Sequence, residues 1–518
     1  MGESSIHDHE RAAGTTEHRW RLRWVDMIGL AMLALAVRIP SYVATRALTF
    51  DDGVFANSAI AMRDGGLPFR DVFSSQGPLF LPLVAVGDLV GLRTLDSPRL
   101  LAIVSGVVAV VATYWTAARL TDRAGALLAG GLLAVSGSFA WVTGPLAADG
   151  PALAFAVLAM GLALRQRDDP STGRAALLGA AVGAVLSTKS LAAPVLVPVA
   201  LVLLAPVLSA ARRRALDTTG LLRGVVATAS SFVVFLSVAI PLGFAEVWDQ
   251  SVVYRTDAAA DRDIPATAAK LVSTLWDRDV ATLFIAVVCL IAGVRALRRT
   301  GSARAARVGP DASWWSRSRW TADASSDWAP SGRLLAVSWL VTTVLWLVVV
   351  VSPLWRPHVA AVSIPLVLVL GVYRPPLRPL LVAALVAAPL MAWQLDGLLV
   401  TGDHEGTDAE LVAALRDLPD GAWVISDEPG VVWRAGRRTT DDLVDPSMLR
   451  REQGRYTETS LAAAATDPRV CAFIRISEQR FAHFEALPDR LRDVGYEPVP
   501  GVGNGTVLLV RTRCQPTG

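Results

Sequence analysis

The sequence predicts a mainly α-helical polytopic membrane protein that carries a C-terminal extracytoplasmic α/β domain. Three observations predict it. Apolar residues arrive in blocks of roughly 16–24, the length that crosses a hydrocarbon core. The loops between blocks alternate between arginine-rich and acidic or neutral. From about residue 400 onward the composition becomes that of a soluble fold of alternating helices and strands.

Each element follows in turn. The 518-residue chain is 53% hydrophobic with a mean hydropathy of +0.44, which argues against a wholly soluble fold. A net charge of only +3 gives no support to a nucleic-acid partner. Apolar blocks fall near 25–45, 98–119, 124–142, 150–165, 174–188, 190–210, 221–243, 280–294, 334–351, 358–373 and 379–395. One set of loops holds Arg119 and Arg123, the group Arg165, Arg167 and Arg174, the run Arg212–Arg214, the stretch 295–333, and Arg374 with Arg378. The other set, 46–97, 143–149, 244–279 and 352–357, is acidic or nearly neutral.

Because the two sets alternate without a break, the positive-inside rule predicts about eleven spans. The N-terminal tail, 1–24, is then cytoplasmic, 25–397 forms the membrane domain, and 398–518 lies outside. The tail ends in a basic aromatic anchor, 18–24, and no small-residue cleavage site follows the first block, which reads as a retained span of the cell membrane. The apolar segment 79–92 is too short to cross and carries Asp88, so it suits a re-entrant or interfacial helix in the first outer loop, 46–97.

Beyond the membrane domain, 407–418 has helical periodicity, 422–426, 470–476 and 506–511 read as buried strands, and 478–494 reads as an amphipathic helix. Cys471 and Cys514 lie beside these strands, where an oxidising compartment permits a disulfide. Cys289, inside a span, suits a small apolar filler.

The chemistry points to one membrane face. Asp51 and Asp52 follow the first span directly, and paired carboxylates there suit a general base and a group that positions an acceptor or cation. Asp52 equally suits the cap of a helix over 56–63. Asp149 follows a short outer loop at the same depth, and an Asp before Gly-Pro is also an ordinary helix cap. Lys189 is one of only two lysines in a chain that otherwise uses arginine, a habit of G+C-rich bacterial genomes. At an outer turn its ammonium can snorkel or hold a phosphate. Arg70, Arg356 and His358 are further cationic or protonatable groups at that level. No P-loop, paired CxxC, HExxH or dinucleotide fingerprint is present, which argues against ATP, zinc and NAD.

Taken in order, these residues resemble the GT-C membrane glycosyltransferases, in particular glycosyltransferase family 39, which includes protein O-mannosyltransferases and the aminoarabinose transferases of lipid A. The match covers roughly 25–395: Asp51-Asp52 with Phe55, the segment 65–73, Pro78-Leu79, Asp149, Thr188-Lys189, and His358 with Pro365. The resemblance implies an inverting transfer of a sugar from a polyprenyl-phosphate donor to an extracytoplasmic glycan, lipid or protein. It implies Asp51 as general base and Asp52 as a positioning group. Lys189, with Arg70, Arg356 and His358, would hold the donor phosphate. Asp149 and Gln76 would position the acceptor or a cation. No cofactor is required by the sequence, and a carboxylate pair is compatible with a divalent cation. Three positions depart from the family pattern: Asp52 replaces the commoner Glu, Phe55 replaces a Tyr, and Gln76 stands where a Lys is frequent. The rival reading is a polytopic transporter or lipid-linked-sugar flippase. It is disfavoured because the charges gather at one interface rather than at midplane, and because the halves show no repeat.

Overall fold

The computed structural model describes residues 4–257, 263–305, 330–375, 377–399, 407–500 and 506–514. Its helices follow the expected blocks. The first, α1 (Ser4–Tyr42), continues from the polar N-terminal segment into the first span. Then come α2 (Phe50–Arg63), α3 (Phe80–Val90), α4 (Leu100–Ala117), α5 (Arg123–Val135), α6 (Gly137–Thr143), α7 (Asp149–Asp168), α8 (Thr172–Thr188), α9 (Leu196–Arg212) and α10 (Thr218–Ala239). Two short helices, α11 (Phe244–Trp248) and α12 (Tyr254–Asp257), precede α13 (Ile264–Ala305), α14 (Gly332–Leu345), α15 (Ser363–Val372) and α16 (Leu377–Leu399).

Among the described residues, six helices are long and apolar enough to cross a membrane, or seven if α5 and α6, bent by 60°, form one broken span. The segment 79–92 forms the short helix α3, as its length requires. Most of the arginine-rich stretch 295–333, namely 306–329, lies outside the described residues.

Local sequence explains where helices begin. In the arginine-rich loops, Asp122, Ser171 and Asp217 each accept a backbone N–H of the first turn of the next helix. Small residues then let helices approach closely: Gly179 and Gly183 of α8 pack directly on the backbone of Ala227 and Ser231 in α10. Asp279 interrupts α13 with φ −128° and ψ 20°. Its carboxylate accepts from Ser136 Oγ at 2.8 Å and from Ser138 N at 3.3 Å, so the break is fixed by the α5–α6 bend. The helix therefore starts well before residue 280, inside the expected loop 244–279.

The C-terminal domain is a four-stranded sheet, β1 (Trp423–Ser426), β2 (Val470–Arg475), β3 (Tyr496–Pro498) and β4 (Val507–Arg511), in the order β1-β2-β4-β3. The β1 and β2 strands are parallel, and β4 runs antiparallel to both β2 and β3. Ile425, Phe473 and Leu509 pack on one face; Val424, Ala472, Ile474 and Leu508 pack on the other, against α17 (Thr407–Arg416). Burial on both faces is why these strands read as continuous apolar runs.

The expected helix over 478–494 is corrected. Only a 3₁₀ turn at Phe481–His483 and a helix at Leu487–Asp493 form. Pro488 can open a helix but cannot continue one, because it lacks the N–H and clashes with the preceding turn. The junction expected near residue 398 runs into 400–406, outside the described residues. Cys471 of β2 pairs with Cys514, Cα to Cα 5.2 Å, and Cys289 is a buried free thiol.

This domain sits on the first-loop face of the helices. Asn57 Nδ2 of α2 donates to Pro429 O at 2.7 Å, and Gly53 lies so close to the Gly430 backbone that no Cβ fits between them. Trp433 donates to Leu95 O at 2.9 Å, and Arg455 pairs with Asp249 at 2.6 Å.

Candidate active site

Helix α2 begins at Phe50 because the Thr49 hydroxyl accepts from Asp52 N at 3.1 Å. Thr49, not Asp52, is the cap. The two aspartates thus occupy the first helical turn, where carboxylates are favoured. Successive residues on a helix diverge by about 100°, so the pair is split between two environments.

Asp52 turns inward. It is fully buried and pairs with Arg99 at 2.5 Å, while accepting from Leu48 N at 3.1 Å and Leu146 N at 2.9 Å. Arg99 in turn donates to the carbonyls of Ser41, Ala44 and Arg46 and lies over the Trp433 ring at 4.6 Å. Asp52 therefore ties α2 to the start of α4 and faces no open space. This corrects its expected place beside the acceptor.

Asp51 turns outward, into a cavity of about 420 Å³. Its carboxylate makes no hydrogen bond or ion pair among the described residues, and burial pushes its pKa up to about 6 against the opposing pull of Lys189. Lys189, Gln76 and His358 share the cavity wall.

Lys189 ends α8, and its Nζ lies 2.7 Å from Asp149 Oδ2, whose carboxylate opens α7 and is completely buried. The other Asp149 oxygen is buried without a hydrogen-bond partner among the described residues. The first loop is stapled to this turn: Gly77 N donates to Thr188 O at 3.0 Å, and Leu79 N donates to Ser187 O at 2.7 Å. Gly77 lies against the Ser187 carbonyl with no room for a side chain, which accounts for glycine there. His358 Nδ1 accepts from Trp355 N at 3.4 Å, which leaves Nε2 as the donor of the neutral ring.

Two expected phosphate ligands lie elsewhere. Arg70 is exposed and donates to Pro241 O at 3.4 Å, closing the first loop onto the end of α10. The surrounding segment is a turn platform: Phe69 takes φ 68° with its ring buried, Asp71 accepts from Leu67 N at 2.8 Å, and Gln250 clamps both Phe69 O and Ser74 N. Arg356 is exposed and outside the cavity wall.

Sequence reasoning missed Arg255, Arg278, Asp445 and Arg480, all of which line the cavity. Arg255 donates to Ser75 O and Oγ. Arg278 stacks at 4.6 Å over Trp141, and its buried Nη1 has no partner among the described residues. Arg480 lies over Phe50 at 3.9 Å and pairs with Glu428 at 3.0 Å. Asp445 and Arg480 come from the C-terminal domain, so the cavity is closed by both parts of the chain. No local pattern flags these residues; they converge only through the fold. Among the described residues, no group of three or more His, Cys, Asp or Glu is placed to hold a metal ion.

Residues 76–239 match the sequence model of the family described as dolichyl-phosphate-mannose-protein mannosyltransferase. No curated protein matches the chain. Among solved structures, the chain is similar to ArnT from Cupriavidus metallidurans in the apo state, with TM-score 0.62 and 14% identity over 95% of this chain and 99% of that one. The same protein bound to undecaprenyl phosphate gives TM-score 0.59 at 13% identity, with the same coverage. The oligosaccharyltransferase of Archaeoglobus fulgidus, tethered with an acceptor peptide, gives 0.52 at 11% identity over 95% of this chain and 74% of that one. The resemblance to the GT-C membrane glycosyltransferases thus rests on a matching segment and on a shared fold, and the chain is a multi-pass membrane protein of GT-C architecture.

Proposed function

We propose that the chain is an inverting glycosyltransferase that moves a sugar from a polyprenyl-phosphate donor to a hydroxyl acceptor, with Asp51 as general base. One observation carries this reading: of two adjacent carboxylates, Asp51 alone is left without a partner among the described residues, and it shares one cavity with Lys189, Arg255 and Arg278. The similar structures of Cupriavidus metallidurans ArnT and the Archaeoglobus fulgidus oligosaccharyltransferase bind undecaprenyl phosphate and dolichol phosphate, which supports a lipid-phosphate donor.

In this mechanism an acceptor hydroxyl gives its proton to Asp51 as its oxygen attacks the anomeric carbon. The bond from that carbon to the phosphate oxygen breaks, and polyprenyl phosphate leaves with the electron pair. Lys189, Arg255 and Arg278 neutralise the charge that develops on the phosphate, and His358 Nε2–H can donate to it. A base with pKa near 6 is ionised at neutral pH yet still takes a proton in the transition state. Attack opposite the leaving phosphate inverts the anomeric centre. Asp149 positions Lys189 and touches no reacting atom.

The reading is tested in membranes by supplying an anomerically defined polyprenyl-phosphate sugar. A product of opposite anomeric configuration is expected, formed only when acceptor is present. Sugar-lipid movement across sealed vesicles without acceptor, and no transfer product, would instead favour a flippase. Which sugar moves, and whether the acceptor is a glycan, lipid or protein, follows from identifying that product.

A further inference from the structure

The helices carry a second cavity, of about 260 Å³, at the end of the bundle away from Asp51. Helix α7 fixes the separation: Asp149 opens it beside Lys189, and Asp168, which lines the second cavity, closes it. At 1.5 Å per residue these positions are about 28 Å apart, close to the thickness of a hydrocarbon core. The second cavity therefore lies at the opposite membrane boundary, on the arginine-rich face. Met27, Tyr114 and Trp115 give it an apolar wall, and Arg23, Arg119 and Asp168 give it a charged rim.

The carboxylates nearby are already committed. Asp168 pairs with Arg167 at 2.7 Å and stands 4.0 Å from Arg119. Asp26 pairs with Arg123 at 2.6 Å and accepts from Tyr114 Oη at 2.7 Å. Arg119 rests 5.0 Å above the Trp115 ring, and its buried Nε has no hydrogen-bond partner among the described residues. Burial, and then Arg165, Arg23 and Arg167, disfavour its charge, and Asp168 offsets this only in part. A guanidinium with an unused buried donor, ringed by other arginines, is a site for an anion.

We propose that this cavity binds the phosphate of an anionic membrane lipid, with Arg119 and Arg23 on the phosphate and the acyl chains leaving past Met27, Tyr114 and Trp115. The apolar wall of Met27, Tyr114 and Trp115 favours a lipid over free phosphate, because a free anion gains nothing from it.

The test uses the full chain in detergent, with thermal unfolding followed as phosphatidylglycerol, phosphatidylcholine or inorganic phosphate is added. Phosphatidylglycerol raises the melting temperature of the wild type, while phosphatidylcholine and inorganic phosphate do not. Arg119→Gln weakens the apparent affinity for phosphatidylglycerol about fivefold, the loss of one juxtamembrane cation. Arg23→Gln does the same at an exposed side chain whose removal empties no core. Arg174→Gln, in the same set of loops but paired with Asp169, keeps the wild-type response. Unchanged affinity in both Arg119→Gln and Arg23→Gln, equal loss in Arg174→Gln, or an equal shift with inorganic phosphate would each overturn the lipid assignment. Transfer activity is not the readout, so the outcome is independent of the catalytic reading.

Discussion

Lys189 Nζ lies 2.7 Å from Asp149 Oδ2, and the two side chains come from the end of α8 and the start of α7. The carboxylate is wholly buried and the ammonium nearly so, so each charge depends on the other. Removing one partner strands the other. Asp149→Leu or Lys189→Met alone is expected to cost about 3–5 kcal/mol of stability, and the double replacement Asp149→Leu with Lys189→Met less than the sum. Thermal unfolding of the four proteins in one detergent measures the coupling; strictly additive losses would contradict the pairing.

The split of the aspartate pair predicts a split of phenotypes at Arg99. Arg99→Met leaves the buried Asp52 carboxylate unpaired and lowers stability by about 3–5 kcal/mol. Asp52→Asn keeps one of the two backbone N–H partners, Leu48 or Leu146, on its remaining oxygen and leaves Arg99 the carbonyls of Ser41, Ala44 and Arg46, so it loses less. Yield of folded protein and melting temperature check both.

Proton affinity at Asp51 sets a pH profile. Burial holds its pKa at about 6, and the reaction needs the ionised form. Transfer at limiting donor is therefore full above that value and falls as the pH drops through about 6. The stability effect has the opposite sense. The folded protein holds this proton more tightly than the unfolded chain, whose carboxylate titrates near the ordinary 3.8, so ionising Asp51 costs stability as pH rises from there through about 6. Asp51→Asn is expected to raise the melting temperature at pH 8, with the gain vanishing toward pH 4. Melting curves at a series of pH values test this without any substrate.

Closure of the cavity by the C-terminal domain makes a further prediction. A Cβ at Gly53 collides with the Gly430 backbone, so Gly53→Ala pushes the domain off α2. Transfer falls while the membrane helices stay folded. Limited proteolysis that cleaves the C-terminal domain faster in Gly53→Ala than in wild type checks the displacement.

Much of this was legible in the sequence because it is local or periodic. Block lengths and loop arginines located the helices, the shortness of 79–92 gave α3, and the order of motifs placed Asp51, Gln76, Lys189 and His358 on one cavity. The rest depends on direction and distance. Two adjacent aspartates look alike in a string, but the helical turn sends one to Arg99 and the other to open space. Arg70 and Arg356 are exposed and lie off the cavity wall, since a place near the end of a helix does not fix azimuth around a bundle. Arg278 reaches the cavity beside a helix break set by Asp279, Ser136 and Ser138, residues far apart in sequence. Arg480 and Asp445 arrive from a separate domain.

The most direct test compares Asp51→Asn with Asp52→Asn in a single-turnover transfer reaction, each normalised to folded protein. Asp51→Asn should abolish detectable product while still binding the polyprenyl-phosphate donor, and Asp52→Asn should retain a measurable rate in its folded fraction. Wild-type turnover by Asp51→Asn would contradict the assignment of that carboxylate as the base.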